Sequence, residues 1–158
     1  MSDAFALLGL PRRPWIEADE VRAAFHRLAA TAHPDRSGTT ADFTEITRAY
    51  ETLREPASRL RHFLALEQPD RFGDAQMPDD ILAWFPRVAA QVQALRRGQA
   101  GDAEPLLAEL RASRDEAHAH IRDVDAHDFD ALARALARLG YLDKWIAQLG
   151  EGLLVLKL

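Results

Sequence analysis

The stretch ALARLGYLDKWIAQLGEGLLVL, residues 135–156, carries an unbroken apolar pattern. Its apolar side chains recur at alternating steps of four and three residues, at Ala135, Leu139, Leu142, Ile146, Leu149, Leu153 and Leu156. A mean step of about 3.5 residues is the spacing of the contact line between packed, slightly supercoiled helices. The stretch therefore predicts a long helix that packs against partner helices along one side.

Two earlier stretches show the same spacing. The first contains Ile81, Phe85, Val88, Val92 and Leu95. The second contains Leu107, Leu110, Arg114, Ala117, Ile121 and Val124, so one arginine interrupts it. Because short turns make consecutive helices antiparallel, residues 78–158 predict an up-down-up three-helix bundle. Asp102 and Asp128 are the expected N-caps, and Pro86 should kink the first helix or delay its start.

The first half of the chain is also helical. Apolar periodicity predicts helices over Ala4–Leu8, Glu17–Ala32, Ala41–Arg54 and Ala57–Leu66. The two middle helices should form an antiparallel hairpin that buries Phe25, Leu28, Ile46 and Tyr50 against each other. We therefore predict an all-α chain with domains at residues 1–67 and 78–158, joined by a proline- and glycine-containing linker at residues 68–77.

Composition excludes several classes of protein. The chain has 158 residues, of which 47% are apolar and 28% charged, and it has no cysteine and a net charge of −5. These values predict a globular protein without disulfides, thiolate-ligated metal or a cysteine nucleophile. The totals show no basic excess, so we expect no nucleic-acid partner. No apolar run could span a membrane and no signal peptide is evident, so we expect no membrane partner and a cytoplasmic location.

Catalytic and metal-binding patterns are weak. The chain has no phosphate-binding glycine loop and no nucleophile elbow. Glu116 with His120, or Asp123 with His127, are four residues apart and could share a metal, but no third ligand is evident. A solvated helix face is the better interpretation. We expect neither an enzyme nor a cofactor.

The loop His33-Pro34-Asp35 follows an amphipathic, partly basic helix. Segments 3–10, 21–29 and 42–53 surround it in an order and spacing that resemble a J-domain over residues 3–64. This resemblance implies that the chain binds a DnaK-type chaperone and stimulates its ATP hydrolysis. It assigns that contact to the loop and to the basic residues near it, which are His33, Pro34, Asp35, Arg22, His26, Arg27 and Arg36.

The rest of the chain resembles a narrower family. Segments 49–66 and 139–145 are similar to HscB-type cochaperones, which join a J-domain to a three-helix bundle. The resemblance implies an IscU-type iron–sulfur scaffold protein as the client; an adaptor for another client is the alternative. In the family, the client surface on the first bundle helix mixes apolar and acidic residues. Here no acid follows Asp80 in the stretch 81–87.

Four apolar residues of the bundle are candidate client contacts. Leu82 and Trp84 flank the contact line of the first bundle helix, while Tyr141 and Trp145 lie off that of the last helix. Large apolar residues outside the core stripe are candidates for binding. We expect them to form one exposed or half-exposed surface. The alternative is that they broaden the core or close the junction between the domains.

Overall fold

The computed structural model describes residues 2–32, 40–70 and 77–158. These residues form helices and no strand, which confirms the all-α prediction for this part of the chain. The helices are α1 (Ala4–Leu8), α2 (Ala18–Ala32), α3 (Thr40–Arg54), α4 (Pro56–Glu67), α5 (Asp79–Arg96), α6 (Ala103–Asp123) and α7 (Phe129–Leu156). They belong to two compact units. The first unit comprises Met1–Gly73 with Asp125–Leu132, and the second comprises Asp74–Val124 with Ala133–Leu158.

In the first unit, α3 packs against α1, α2 and α4. The expected hairpin contact between α2 and α3 is present, because the rings of Phe25 and Tyr50 stack with centroids 4.4 Å apart. Phe25, Leu28, Ile46 and Tyr50 are only half-buried, however. The deepest core of this unit consists of Phe5, Leu8, Ile16, Val21, Leu53 and Leu60.

Two sets of side-chain hydrogen bonds stabilise helix ends in this unit. The Asp3 carboxylate accepts hydrogen bonds from the backbone N–H groups of Phe5 and Ala6, at 3.0 and 3.2 Å, and so caps α1. In α4, the Arg59 side chain is almost fully buried and donates from Nη1 to the carbonyl oxygen of Leu53 at 2.8 Å. Since carbonyls in the last turn of a helix lack intrahelical partners, this bond satisfies the end of α3.

The second unit is a three-helix bundle with one apolar core. α5 contributes Ile81, Val88 and Leu95; α6 contributes Ala103, Leu106, Leu107 and Leu110; α7 contributes Leu142, Trp145, Leu149 and Leu153. Gly152 lies against Leu95, and a Cβ there would approach Leu95 Cδ1 to 2.8 Å. A residue with a side chain at this point of α7 would therefore require the Leu95 side chain to shift.

Two aromatic residues occupy the opposite positions to those expected. The spacing placed Phe85 in the core and Trp145 on the surface, yet Phe85 is 52% exposed and Trp145 only 4%. Their rings meet edge to face, with centroids 6.2 Å apart. A helix in a three-helix bundle touches two neighbours and buries a broad stripe. On α7 the steps from Leu142 to Trp145 and Leu149 satisfy the helical spacing as well as those through Ile146, which stays only partly buried.

Arg138 links all three helices of the bundle. Its Nη2 donates to Ser113 Oγ at 2.8 Å, and its Nε lies 3.2 Å from Asp80 Oδ2. The buried residue on this part of α6 is therefore Ser113, while Arg114 reaches toward Asp143 at 3.8 Å.

Of the two predicted N-caps, one is confirmed and one is not, and the predicted effect of Pro86 on the start of the helix is absent. The Asp128 carboxylate accepts from Ala131 N–H at 3.0 Å, which confirms it as a cap of α7. Asp102 precedes α6 without a side-chain cap bond, because its backbone, at φ −94° and ψ 23°, is not in the extended form that capping requires. α5 begins at Asp79 and continues through Pro86, so that proline does not delay the start of the helix.

Candidate functional site

The polar face of α2 carries the basic residues that the sequence singled out. Arg22, His26 and Arg27 are all exposed. Arg22 and His26 are four residues apart and so lie on the same face of the helix. Arg22 Nη1 is 3.3 Å from Asp19 Oδ1, an exposed pair that leaves the guanidinium open to other partners because such pairs are weak.

This face is held in place from its apolar side. Val21 and Ala24 are buried in the first unit, and Phe25 stacks on Tyr50 of α3. The opposite side of α2 is therefore fixed toward solvent. His33, Pro34, Asp35 and Arg36 lie outside the described residues and come directly after Ala32, the last residue of α2.

The second candidate surface is an apolar patch on the bundle. It consists of Leu82 and Phe85 on α5, 54% and 52% exposed, and half-buried Tyr141 on α7, with buried Trp145 against the two aromatic rings. Leu82 and Phe85 are three residues apart and share one side of α5. Phe85 and Tyr141 both contact Trp145, with ring centroids 6.2 and 5.7 Å from its own. We call Leu82, Phe85 and Tyr141 the apolar patch.

Sequence reasoning missed Phe85 because its spacing suited the core. The signal that could have found it is the pair Leu82 and Phe85, which places two large apolar side chains on one side of α5 beyond the buried stripe of Ile81 and Val88.

Two candidate residues differ from the expectation. Trp145 is not an exposed aromatic: it belongs to the core and supports the patch from below. Trp84 is half-buried and lies on the opposite side of Ile81 from Leu82, since consecutive residues are about 100° apart around the helix. The Arg87 guanidinium covers the Trp84 ring at 5.3 Å and also makes a two-point contact with Glu109 of α6, at 2.9 and 3.0 Å. Trp84 therefore does not join the apolar patch.

Little charge surrounds the apolar patch on α5. The exposed residues that continue the side of Leu82 along the helix are Pro86, Ala89 and Gln93, none of them charged. Toward the start of the helix, exposed Asp79 lies three residues before Leu82 and shares its side, while the neighbouring Asp80 pairs with Arg138. Contact with a partner here would be mainly apolar, with one acid at its edge.

The part of the chain that the structure describes holds no grouped metal ligands and no membrane-spanning helix. No three His, Asp or Glu side chains in it are grouped so as to hold a metal ion. None of its helices is both long and apolar enough to cross a bilayer.

Comparisons with known proteins place these features in a family. Residues 3–62 match the family model of the DnaJ domain. A co-chaperone HscB homologue from Azoarcus sp. strain BH72 is 30% identical, over 96% of this chain and 93% of the relative. Another from Chromobacterium violaceum is 33% identical, over 70% of this chain and 75% of the relative.

A solved structure shows the same fold. The chaperone HscB from Vibrio cholerae matches with a TM-score of 0.74 at 17% identity, over 98% of this chain and 99% of that one. At this identity the match bears on the fold, and it includes both the J-domain-like first unit and the three-helix bundle.

Proposed function

Because this chain belongs to the family of HscB-type J-domain co-chaperones, we propose that it stimulates ATP hydrolysis by a DnaK-type chaperone and delivers an IscU-type iron–sulfur scaffold protein to it. Membership of this family supports the proposed stimulation of the chaperone, and the apolar patch supports the proposed delivery of the client. We propose no catalytic activity and no cofactor for the chain itself. We also propose the cytoplasm as its location, since it must share a compartment with its chaperone.

The chaperone contact is assigned to the His33-Pro34-Asp35 loop and the exposed basic face of α2. The guanidinium groups of Arg22 and Arg27 can steer the first unit toward an acidic surface on the chaperone, with Arg36 beyond the loop adding to the same charge. Asp35 can then accept a charge-assisted hydrogen bond from a basic residue of the chaperone, which fixes the orientation of the complex.

ATP hydrolysis by a DnaK-type chaperone, measured with and without the chain, tests this half. His33→Gln and Asp35→Asn should each abolish the stimulation while the helical content stays unchanged. His120→Gln and Asp70→Asn are matched controls, because both residues are exposed and lie away from the loop in sequence. If either loop variant stimulates like the parent, the loop is not the point of contact.

The client contact is assigned to the apolar patch. Leu82 and Phe85 together offer two large, half-exposed apolar side chains on one helix side, and a monomeric protein seldom exposes such groups together without a partner. Tyr141 adds an aromatic ring with a hydroxyl, the kind of side chain that is enriched at the centres of interfaces. Trp145 is almost fully buried, so it cannot contact a partner directly and instead supports the patch from below.

Calorimetric titration with an IscU-type scaffold tests this half. Leu82→Ala, Phe85→Ala and Tyr141→Ala should each weaken binding by about 1–3 kcal/mol, as truncation of central interface residues does. The melting temperature should change little. Leu154→Ala is the matched control, because Leu154 is 62% exposed and lies on α7 well beyond the patch. Equal losses in all four variants, or in none, would remove the patch as the client surface.

A different client is the second candidate. The observation that favours it is the uncharged side of α5, where Pro86, Ala89 and Gln93 follow Leu82 in place of acids. If the scaffold does not bind while the ATPase stimulation is normal, the chain is an adaptor for another protein.

A further inference from the structure

A groove with a volume of about 410 Å³ opens in the first unit between α1, α3 and α4. This volume is in the range of pockets that hold small ligands or the side chains of a bound peptide. Its apolar lining is made by the small side chains of Ala4, Ala49 and Ala65 together with Leu7. No residue described in α2 lines it, so it is separate from the basic face assigned to the chaperone.

His62 lines this groove with a ring whose protonation the backbone determines. The Ala4 N–H donates to His62 Nε2 at 3.0 Å, so Nε2 carries no hydrogen. The neutral ring must then carry its hydrogen on Nδ1, and burial, which lowers the pKa of His62, favours this neutral form. The side chain is 8% exposed and its other ring contact is a stack on Phe5.

The Nδ1–H group of His62 lacks an acceptor among the residues that the structure describes. Since Nδ1 is not one of the fully buried atoms that lack a partner, it is open to solvent, and an acceptor on a ligand can replace the water there. The Nε2 edge faces Ala4 and the ring face lies against Phe5. The groove is therefore the side from which an acceptor can approach.

The rim of the groove adds two cations. Arg48 on α3 and Arg61 on α4 are both exposed, and neither forms an ion pair within the described residues. Glu45 on α3 lines the same groove, so the rim carries a net charge of one positive unit. A single carboxylate neutralises this net charge, whereas a doubly charged phosphate would leave an excess negative charge beside Glu45.

We propose that this groove binds an acidic protein segment, with one Asp or Glu carboxylate held by Arg48, Arg61 and His62 Nδ1 and a neighbouring apolar side chain over Ala49 and Ala65. The groove supplies a complementary charge and a donor whose position is fixed by the bond of His62 Nε2 to Ala4 N–H. The site does not rest on the function proposed above. It lies away from α2, so the first unit can hold such a segment while its basic face contacts a chaperone.

An NMR titration of the full ¹⁵N-labelled chain tests the proposal. The probe is a capped peptide that alternates leucine and glutamate, compared with the same peptide carrying glutamine and with inorganic phosphate. The glutamate peptide should shift the backbone signals of Ala4, Ala49, Arg61 and His62, and neither comparison probe should. Shifts as large with the glutamine peptide or with phosphate would overturn the proposal, as would the absence of shifts at these residues.

Variants assign the contacts. Arg48→Gln and Arg61→Gln should each raise the dissociation constant of the glutamate peptide at least about fivefold, the effect of losing one net hydrogen bond to a charged group. His62→Gln keeps an oxygen that can accept from Ala4 N–H but exchanges the ring-fixed Nδ1–H for a flexible amide, so a fold that survives should still bind more weakly. Arg111→Gln, an exposed arginine of α6, should bind as the parent does. Unchanged affinity in both arginine variants would overturn the site even if His62→Gln failed to fold.

Discussion

The two units present their candidate binding residues in different physical settings. On α2 of the first unit, Arg22, His26 and Arg27 project from the polar side of a helix whose opposite side is buried, so they contribute little to stability. On the bundle, Phe85 and Tyr141 contact the buried ring of Trp145, and Leu82 lies beside Phe85 on the same side of α5. A charged surface can therefore be changed without disturbing the fold, whereas an apolar surface shares its atoms with the core. Experiments on the second unit must separate binding from stability.

The largest effect should come from Trp145→Ala. Its side chain is 4% exposed at the centre of the core, and removing a large buried aromatic costs about 3–5 kcal/mol of unfolding free energy through lost burial and the cavity left behind. Phe85→Ala should cost much less, because about half of its surface is already in water. Chemical denaturation of the two variants measures both values.

The same pair of variants separates core from surface by function. Phe85→Ala should lose affinity for the scaffold at nearly unchanged stability, and Trp145→Ala should lose stability first. If Phe85→Ala instead lost more stability than Trp145→Ala, Phe85 would be the core residue and Trp145 the surface residue, as the spacing of the sequence had suggested.

These two residues mark the limit of prediction from the sequence. The number of helices, their order and the polar side of α2 follow from apolar periodicity, because a hairpin helix such as α2 buries one narrow stripe. In the bundle each helix has two neighbours, so Trp145 and Ile146 fit the stripe of α7 equally well by spacing. The choice depends on how the Trp145 ring packs against the other helices of the bundle. The sequence of one helix alone does not determine that packing. The groove at His62 also needs three helices in contact, so its residues are dispersed in the sequence.

A smaller loss of stability should follow from Arg59→Met in the first unit. Methionine keeps the aliphatic volume but leaves the Leu53 carbonyl without the 2.8 Å bond from Arg59 Nη1. A buried acceptor left without a hydrogen bond should lower the free energy of unfolding by about 1–3 kcal/mol. Arg54→Met is the control, because Arg54 is exposed and pairs with Glu51 and Glu55 on the surface. Equal stability of the two variants would mean that the guanidinium of Arg59 adds nothing beyond its packing.

Salt should distinguish the two binding surfaces. Chaperone binding through Arg22 and Arg27 should weaken several-fold as sodium chloride rises from low to high concentration, because exposed charges are screened. Scaffold binding through the uncharged apolar patch should change by less than about twofold over the same range. Titrations at matched salt concentrations measure both slopes. A steep slope for the scaffold would indicate charged contacts outside the patch.

The smallest expected effect is a pH dependence of stability that arises at His62. Burial is the main cause that lowers the pKa of this side chain, nearby Arg12 lowers it further, and Asp3 opposes them. Other charged groups that line its groove are Glu45, Arg48 and Arg61. In the unfolded chain the imidazole takes up a proton near its ordinary pKa of about 6.5, while the folded ring stays neutral to lower pH. The unfolded state therefore binds more protons in this window.

The contribution of His62 to stability is thus complete above the unfolded pKa and is lost as pH falls toward the folded pKa. Protonation would also set a hydrogen on Nε2 against the Ala4 N–H, which would release the start of α1. Denaturation at a series of pH values should show the unfolding free energy of the parent falling below neutrality, and that of His62→Gln falling less, since glutamine accepts from Ala4 without titrating. His120→Gln, on the exposed side of α6, should keep the slope of the parent. If His62→Gln follows the parent at every pH, another group is responsible, and α1 is held independently of the charge on this ring.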